Sequence, residues 1–129
     1  MFNIYTSYFS NKKLKNKHND MMFIPVCNRL YVNSGYADWY RELSPDPIEL
    51  ERFHNSLKPD KERFTDKYIK KLHSLRKDHI LDKYVDDLLL RVRYEDVVLL
   101  CYENKKEFCH RHILAQYLND YYNLRITEY

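Results

Sequence analysis

Glycine is almost absent from this chain: Gly35 is the single one among 129 residues. Loops that hold the phosphates of ATP or NAD contain several glycines, because only glycine lets the backbone come close enough to the phosphates. The sequence therefore has no glycine-rich loop of this kind. A nucleotide, if one binds, has to be held in a different way.

Cysteine is scarce as well, and the odd number of three argues against a disulfide framework. It leaves catalysis, metal binding or plain packing as roles for these residues. Long apolar segments are missing. No run approaches the roughly 18 residues of a membrane-spanning helix, and no arginine-led apolar leader segment is expected. These absences predict a protein of a reducing compartment, with the cytoplasm as the expected location and no membrane partner.

The excess of positive charge is small, with a net charge of +3. Nucleic-acid-binding domains are usually more basic, so charge alone does not choose a partner. The length and the 44% hydrophobic content predict one domain over residues 1–129. Such a domain buries about two thirds of its surface on folding.

The stretch from Val97 to Leu118 organises the predicted fold. Its first six residues, VVLLCY, form an apolar run typical of a strand that is covered on both faces. Asn104 is then expected to cap a helix, with Glu107 answering it in a capping-box exchange. The carboxyl end of the strand thus meets the amino end of the helix, where α/β proteins place their ligands.

Helical periodicity assigns the side chains of this second element to faces. The face expected to pack on the sheet carries Leu114, Tyr117, Leu118 and Tyr121. His110 falls on the same face, Arg111 on its shoulder, Cys109 round the other side, and His112 toward water. His110 is therefore the residue expected to face Cys101.

The remaining patterns predict an α/β fold: a small, mostly parallel sheet of about four strands with helices packed on it. Strands are expected at residues 2–8, 21–26, 97–102 and 124–127, and Pro25 places the second one at an edge or makes it leave the ladder early. Asp46 and Pro47 begin a helix that runs to about His54. Two further helices begin near Pro59 and Asp78, with inward stripes of Phe64, Tyr68, Leu72, Leu75 and of Leu81, Tyr84, Val85, Leu88, Leu89.

A candidate site lies at the carboxyl ends of the predicted strands. Cys27, Asn28 and Arg29 follow the second strand directly, on the rim where Cys101 ends the third. Arg29 either holds an anion or satisfies loop carbonyls. Arg111 and two histidines stand in the first turns of a helix, where cations oppose the macrodipole, so either a bound anion or the carboxylates of Glu103 and Glu107 explain their presence.

Two short motifs resemble the bacterial and phage family called domain of unknown function 488. One is Leu99 to Glu103 followed by Cys109-His110-Arg111, and the other is Asn28 to Tyr31, with Trp39 and the segment 40–45 as further likeness. The likeness covers roughly residues 23–118. It implies an α/β fold and a conserved-looking rim but no settled activity. Where the family commonly has an aspartate at the end of the second strand, this chain has Cys27 or Asn28.

Three functional hypotheses follow, and none of them names a cofactor. The first is an anion pocket of phosphate or nucleotide size in an enzyme, with catalytic Cys101, Cys109 and His110 and with Arg29, Glu103 and Arg111 binding the substrate. The second is a non-catalytic module that binds nucleic acid or protein. The third is a zinc site of Cys27, Cys101, Cys109 and His110, whose spacings match no common zinc motif.

Overall fold

The computed structural model of the chain describes residues 2–17, 20–28, 36, 38–103 and 108–129. The strands in these ranges are β1 (Ile4–Tyr8), β2 (Met21–Pro25), β3 (Asp96–Cys101) and β4 (Ile126–Glu128). The α-helices are α1 (Pro47–Asn55), α2 (Lys61–Lys77), α3 (Ile80–Arg91) and α4 (His110–Tyr122). Short 3-10 helices lie at Lys12–Leu14 and Arg41–Leu43.

The strands form one sheet in the order β2-β3-β1-β4, and every pair in it is parallel. The predicted α/β fold with a small parallel sheet is confirmed. Strand β3 lies inside the sheet and its residues Val97 to Cys101 are all buried, which explains the unbroken apolar run. Strand β2 forms one edge, as the missing amide proton of Pro25 predicted.

Two hydrophobic clusters cover the two faces of the sheet. Val97 and Leu99 of β3 pack in the larger cluster with residues of α2, α3 and α4. Val98 and Leu100 pack in the smaller one with Leu14 and neighbouring side chains. Because side chains alternate along a strand, Cys101 points to the same face as Val97 and Leu99, toward the helices.

The starts of α1 and α2 follow the sequence signals. The Asp46 carboxylate accepts hydrogen bonds from the amides of Ile48 and Glu49, with Pro47 in the first helical position. Asp60 caps α2 by accepting from the Arg63 amide. The three buried residues of α2 belong to the predicted stripe: Phe64, Tyr68 and Leu72.

Helix α3 buries Leu81, Val85 and Leu88, as predicted, but Leu89 is 41% exposed and its inward assignment was wrong. This helix touches the core along a single narrow stripe, and Leu89 lies about 100° round the helix from Leu88. A left-handed His79, with φ 61°, precedes the helix, so α3 begins at Ile80 rather than near Asp78.

Helix α4 begins later than predicted. Its N-cap residue is Cys109, which is extended with φ −141° and ψ 144°, so a start at Asn104 is wrong. The predicted partners Asn104 and Glu107 lie outside the described residues. The ring of Phe108, the residue before this N-cap, packs on those of Phe53 and Phe64 at 5.4 and 5.8 Å.

The buried face of α4 also differs in part from the prediction. Leu114, Tyr117 and Leu118 are buried, whereas Tyr121 is 47% exposed. Tyr121 lies against the Tyr117 ring and the Arg76 guanidinium instead of the sheet. None of the helices in the described ranges is long and apolar enough to cross a lipid bilayer.

Candidate functional site

The candidate site is built where β3 ends and α4 begins. The sulfurs of Cys101 and Cys109 are in direct contact, and both side chains are buried. Their Cα atoms are 7.8 Å apart, beyond the usual range for a disulfide, so the backbone geometry favours two adjacent thiols over a bond between them. The rim thus places two thiols side by side.

Arg111 contacts the cysteine pair through Cys101 and is completely buried. Its Nη1 donates a hydrogen bond to the Cys101 sulfur at 3.0 Å and another to the Glu103 carbonyl oxygen. Its Nε and Nη2 donate to the carboxylate of Glu128 at 2.8 to 3.3 Å. The guanidinium therefore joins β3, α4 and β4.

Glu128 is the functional neighbour that sequence reasoning missed. The predicted last strand stopped at Thr127, and the carboxylates expected to neutralise Arg111 were those of Glu103 and Glu107. Strand β4 pairs in parallel with β1, and this pairing places Glu128 next to Thr6, whose hydroxyl donates to it at 2.7 Å. The helical pattern placed Arg111 only on the shoulder of the buried face, so it gave no signal for a buried arginine that needs a carboxylate partner.

The surroundings of Glu128 lower the pKa of its carboxyl group. Partial burial alone would raise the pKa of this carboxyl, but hydrogen bonds from His112, Arg111 and Thr6 outweigh burial and bring the pKa down to about 2. Glu128 is therefore ionised at neutral pH. It supplies the negative charge that accompanies the buried guanidinium.

This lowered pKa predicts how stability depends on pH. Because Glu128 titrates at about 2 when folded and near 4.5 when unfolded, the unfolded chain takes up the proton first as the pH falls. Its contribution to stability is complete above about pH 4.5 and is lost as the pH falls toward 2. Urea unfolding across this window should show a smaller loss of stability for Glu128→Gln than for the unmodified chain. Equal losses would contradict the assignment.

His110 is buried in the first turn of α4. Burial lowers its pKa to about 4, even though the Val26 carbonyl that accepts from its Nε2 at 2.9 Å acts in the opposite direction. The ring is therefore neutral at pH 7, with the proton on Nε2. Its Nδ1 lone pair lies 3.7 Å from the Cys109 sulfur.

His110 lies beside Cys101 as expected, with a ring nitrogen within 4.8 Å of the Cys101 sulfur. The direct neighbours of that sulfur are Cys109 and Arg111. Cys109, which the helical pattern put round the other side, reaches Cys101 because it is the extended N-cap residue of α4 and not a helical one.

Glu103 connects the cysteine pair to helix α1. Its Oε2 accepts a hydrogen bond from the Cys109 thiol at 3.2 Å, and its Oε1 lies 3.3 Å from Nε2 of His54. His54 stands near the end of α1 and is about half exposed. The sequence analysis used His54 only to mark the approximate end of a predicted helix and gave it no place in the site.

A cavity of about 470 Å³ opens beside these residues. Its lining includes Cys27 and Asn28 from the end of β2, Glu103 and His110 from the second segment, and His54 from α1. The predicted convergence of the two rim segments is therefore present. Glu51 also lines the cavity, and its described lining contains no lysine or arginine. Arg29 lies outside the described residues, so its assignment to anion binding stays a prediction.

The cluster contains donors suited to a metal ion. Ligand atoms of Cys101, Glu103, Cys109 and His110 all lie within 4.8 Å of one another. Three of these residues belong to the predicted zinc set. Cys27, the fourth member of that set, is replaced in the group by Glu103.

Comparison with known proteins gave one family. Residues 6–122 match the family model DUF488-N3a, described as the active DUF488-N3 subclade. The matched region includes the cysteine pair, His110 and Arg111 but not Glu128. No curated protein and no solved structure matches the chain.

Proposed function

This chain belongs to the DUF488 family, and we propose that it is an enzyme whose reactive centre is the cysteine pair Cys101 and Cys109 and whose substrate occupies the rim cavity. The observation that carries the proposal is the contact between the two sulfurs, with Arg111 on one side and Glu103 and His110 on the other. The description of its subclade as active is consistent with it.

Arg111 gives one sulfur a favourable charge environment. Sulfur is negative both as an attacking nucleophile and as a leaving group, and a guanidinium 3.0 Å away stabilises that charge. Because Glu128 and the Glu103 carbonyl hold the guanidinium from other directions, it is fixed in place before any substrate arrives.

The other sulfur has two proton acceptors. Glu103 accepts from the Cys109 thiol, and the Nδ1 of His110 faces the same sulfur. Both acceptors line the cavity, so a proton removed from Cys109 lies next to the bound substrate. His54 pairs with the other oxygen of Glu103 and connects this carboxylate to the exposed side of the cavity.

The proposed substrate class is a small anion of phosphate or nucleotide size. The cavity volume is in the range of small-ligand pockets. Since Glu51 and Glu103 line it, the anionic group would lie on the side of Asn28, next to Arg29 in the sequence, or against His54. Arg111 would act on the sulfur and not on this anion.

Alkylation of the reduced chain with iodoacetamide at neutral pH tests the proposal, with each cysteine followed by peptide mass spectrometry. Cys101 or Cys109 should react faster than a free thiol in the same buffer and on the order of tenfold faster than Cys27, which is also buried but lies outside the cluster of Cys101, Glu103, Cys109 and His110. If neither reacts faster than Cys27, the proposal is wrong, and a non-catalytic binding module becomes the better hypothesis.

The charge preference of the cavity is tested separately with iodoacetate, the anionic counterpart of the same probe. If the site favours anions, the ratio of iodoacetate to iodoacetamide rates should be higher at the reactive cysteine than for a free thiol, and inorganic phosphate should slow both reactions. A lower ratio without phosphate protection would indicate that Glu51 and Glu103 dominate and that the substrate is neutral or cationic.

A further inference from the structure

The four donors of the cysteine cluster lie close enough together to surround one metal ion. Zinc binds sulfur at about 2.3 Å and nitrogen or oxygen near 2.0 to 2.2 Å, so neighbouring ligands of a tetrahedral ion lie about 3.3 to 3.8 Å apart. Here the Cys109 sulfur lies 3.2 Å from Glu103 Oε2 and 3.7 Å from His110 Nδ1. The two sulfurs, now in contact, would have to separate to about 3.8 Å.

The orientation of His110 is the second observation. Metal-bound histidines usually donate their other ring N–H to a carbonyl or carboxylate, and this bond fixes the ring. The Nε2 of His110 does this with the Val26 carbonyl at 2.9 Å, and Nδ1 is left directed at the cluster. The Val26 carbonyl is therefore positioned as the hydrogen-bond partner that usually supports a metal-bound histidine.

Charge supplies the third argument. Two cysteine sulfurs are buried in contact, and a carboxylate oxygen lies against one of them. Negative charge on both sulfurs would be repulsive in so little space, and the hydrogen bond from Arg111 Nη1 goes to the Cys101 sulfur. A divalent cation between the sulfurs balances two thiolates at once.

We infer that Cys101, Cys109, His110 and Glu103 bind one thiophilic divalent metal ion, Zn²⁺ in the first place. The metal holds both thiols, so the metal-bound chain is the form in which they do not react with alkylating agents. This consequence for activity rests on the proposed function, whereas metal binding does not.

Titration of the reduced full-length chain with Co²⁺ and Zn²⁺ tests the inference. Co²⁺ should bind at one ion per chain and show sulfur-to-cobalt charge-transfer absorption together with the visible bands of a tetrahedral ion, and Zn²⁺ should displace it. Cys109→Ser and Glu103→Gln should weaken binding by at least 10- to 100-fold, the loss that even outer-shell changes cause. Cys27→Ser is the matched control, because Cys27 is buried but outside the donor group, and it should bind as the unmodified chain does.

Absence of one-to-one binding by the folded, reduced chain would overturn the inference. Unchanged affinity in Cys109→Ser and Glu103→Gln would do the same, with circular dichroism showing that each variant is folded. Added Zn²⁺ should also protect Cys101 and Cys109 from iodoacetamide while leaving the labelling of Cys27 unchanged.

The two ideas fail in different ways. Fast labelling of the metal-free pair without metal binding contradicts only the metal site. Metal binding with slow labelling of the metal-free pair contradicts only the thiol enzyme.

Discussion

Glutamine in place of Glu128 should lower the free energy of unfolding by about 3 kcal/mol, the lower end of the range for breaking a buried ion pair. The substitution keeps the shape of the side chain and removes its charge, so the completely buried guanidinium of Arg111 loses its ion pair with Glu128. The lower end applies because the Glu128 side chain is itself about one fifth exposed. Urea unfolding at pH 7, followed by circular dichroism, measures the loss.

A double-mutant cycle separates the ion pair from other effects. Arg111→Met should also be strongly destabilising, because it removes the guanidinium hydrogen bonds to the Glu128 carboxylate and to the Glu103 carbonyl. The double variant should lose clearly less than the sum of the two single losses, since a pair replaced as a whole leaves no uncompensated charge.

Asp66→Asn provides the control for the charge itself. It removes the same charge from an exposed position of α2, and the free energy of unfolding should change by no more than about 0.5 kcal/mol. Additive losses in the cycle would mean that Arg111 and Glu128 do not depend on each other.

Alanine should have very different effects at two neighbouring leucines of α3. Leu88 is fully buried in the larger cluster, and Leu88→Ala should lower the free energy of unfolding by about 2 to 5 kcal/mol through lost burial and the cavity left behind. Leu89 is 41% exposed, and Leu89→Ala should cost less than about 1 kcal/mol.

Both leucine variants have the same composition, and each removes the same side chain from the same helix. Differences in helix propensity therefore cancel, and thermal or urea unfolding reports burial alone. Similar losses at the two positions would place Leu89 inward, as the sequence pattern suggested, and would contradict the rotation of α3 seen here.

The fold was predictable because its strands and helices carry strong local signals. The apolar run at Val97, the proline in β2 and the Asp46-Pro47 start of α1 each have a physical reason that does not depend on distant residues. Leu89 shows the limit of this reasoning. A helical pattern identifies the apolar side of α3 but does not fix how much of that side the sheet covers.

Some members of the site were predictable, and its contacts were less so. The sequence placed Cys101, Cys109, His110 and Arg111 at one strand–helix junction, and the structure brings them together there. Phe108, just before the start of α4, packs against α1 and α2, and the carboxylate that pairs with Arg111 comes from β4. Both contacts are tertiary, so no local rule reveals them.

Strand β4 has three residues and forms an edge of the sheet, and this arrangement bears on the chemistry of the rim. Short edge strands separate from their neighbours more often than inner strands, at temperatures well below global melting. Each such event withdraws the carboxylate beneath the guanidinium and alters the electrostatic surroundings of the paired thiols. Thiol reactivity should therefore follow the amide exchange of Ile126 to Glu128 and not the unfolding of the whole chain.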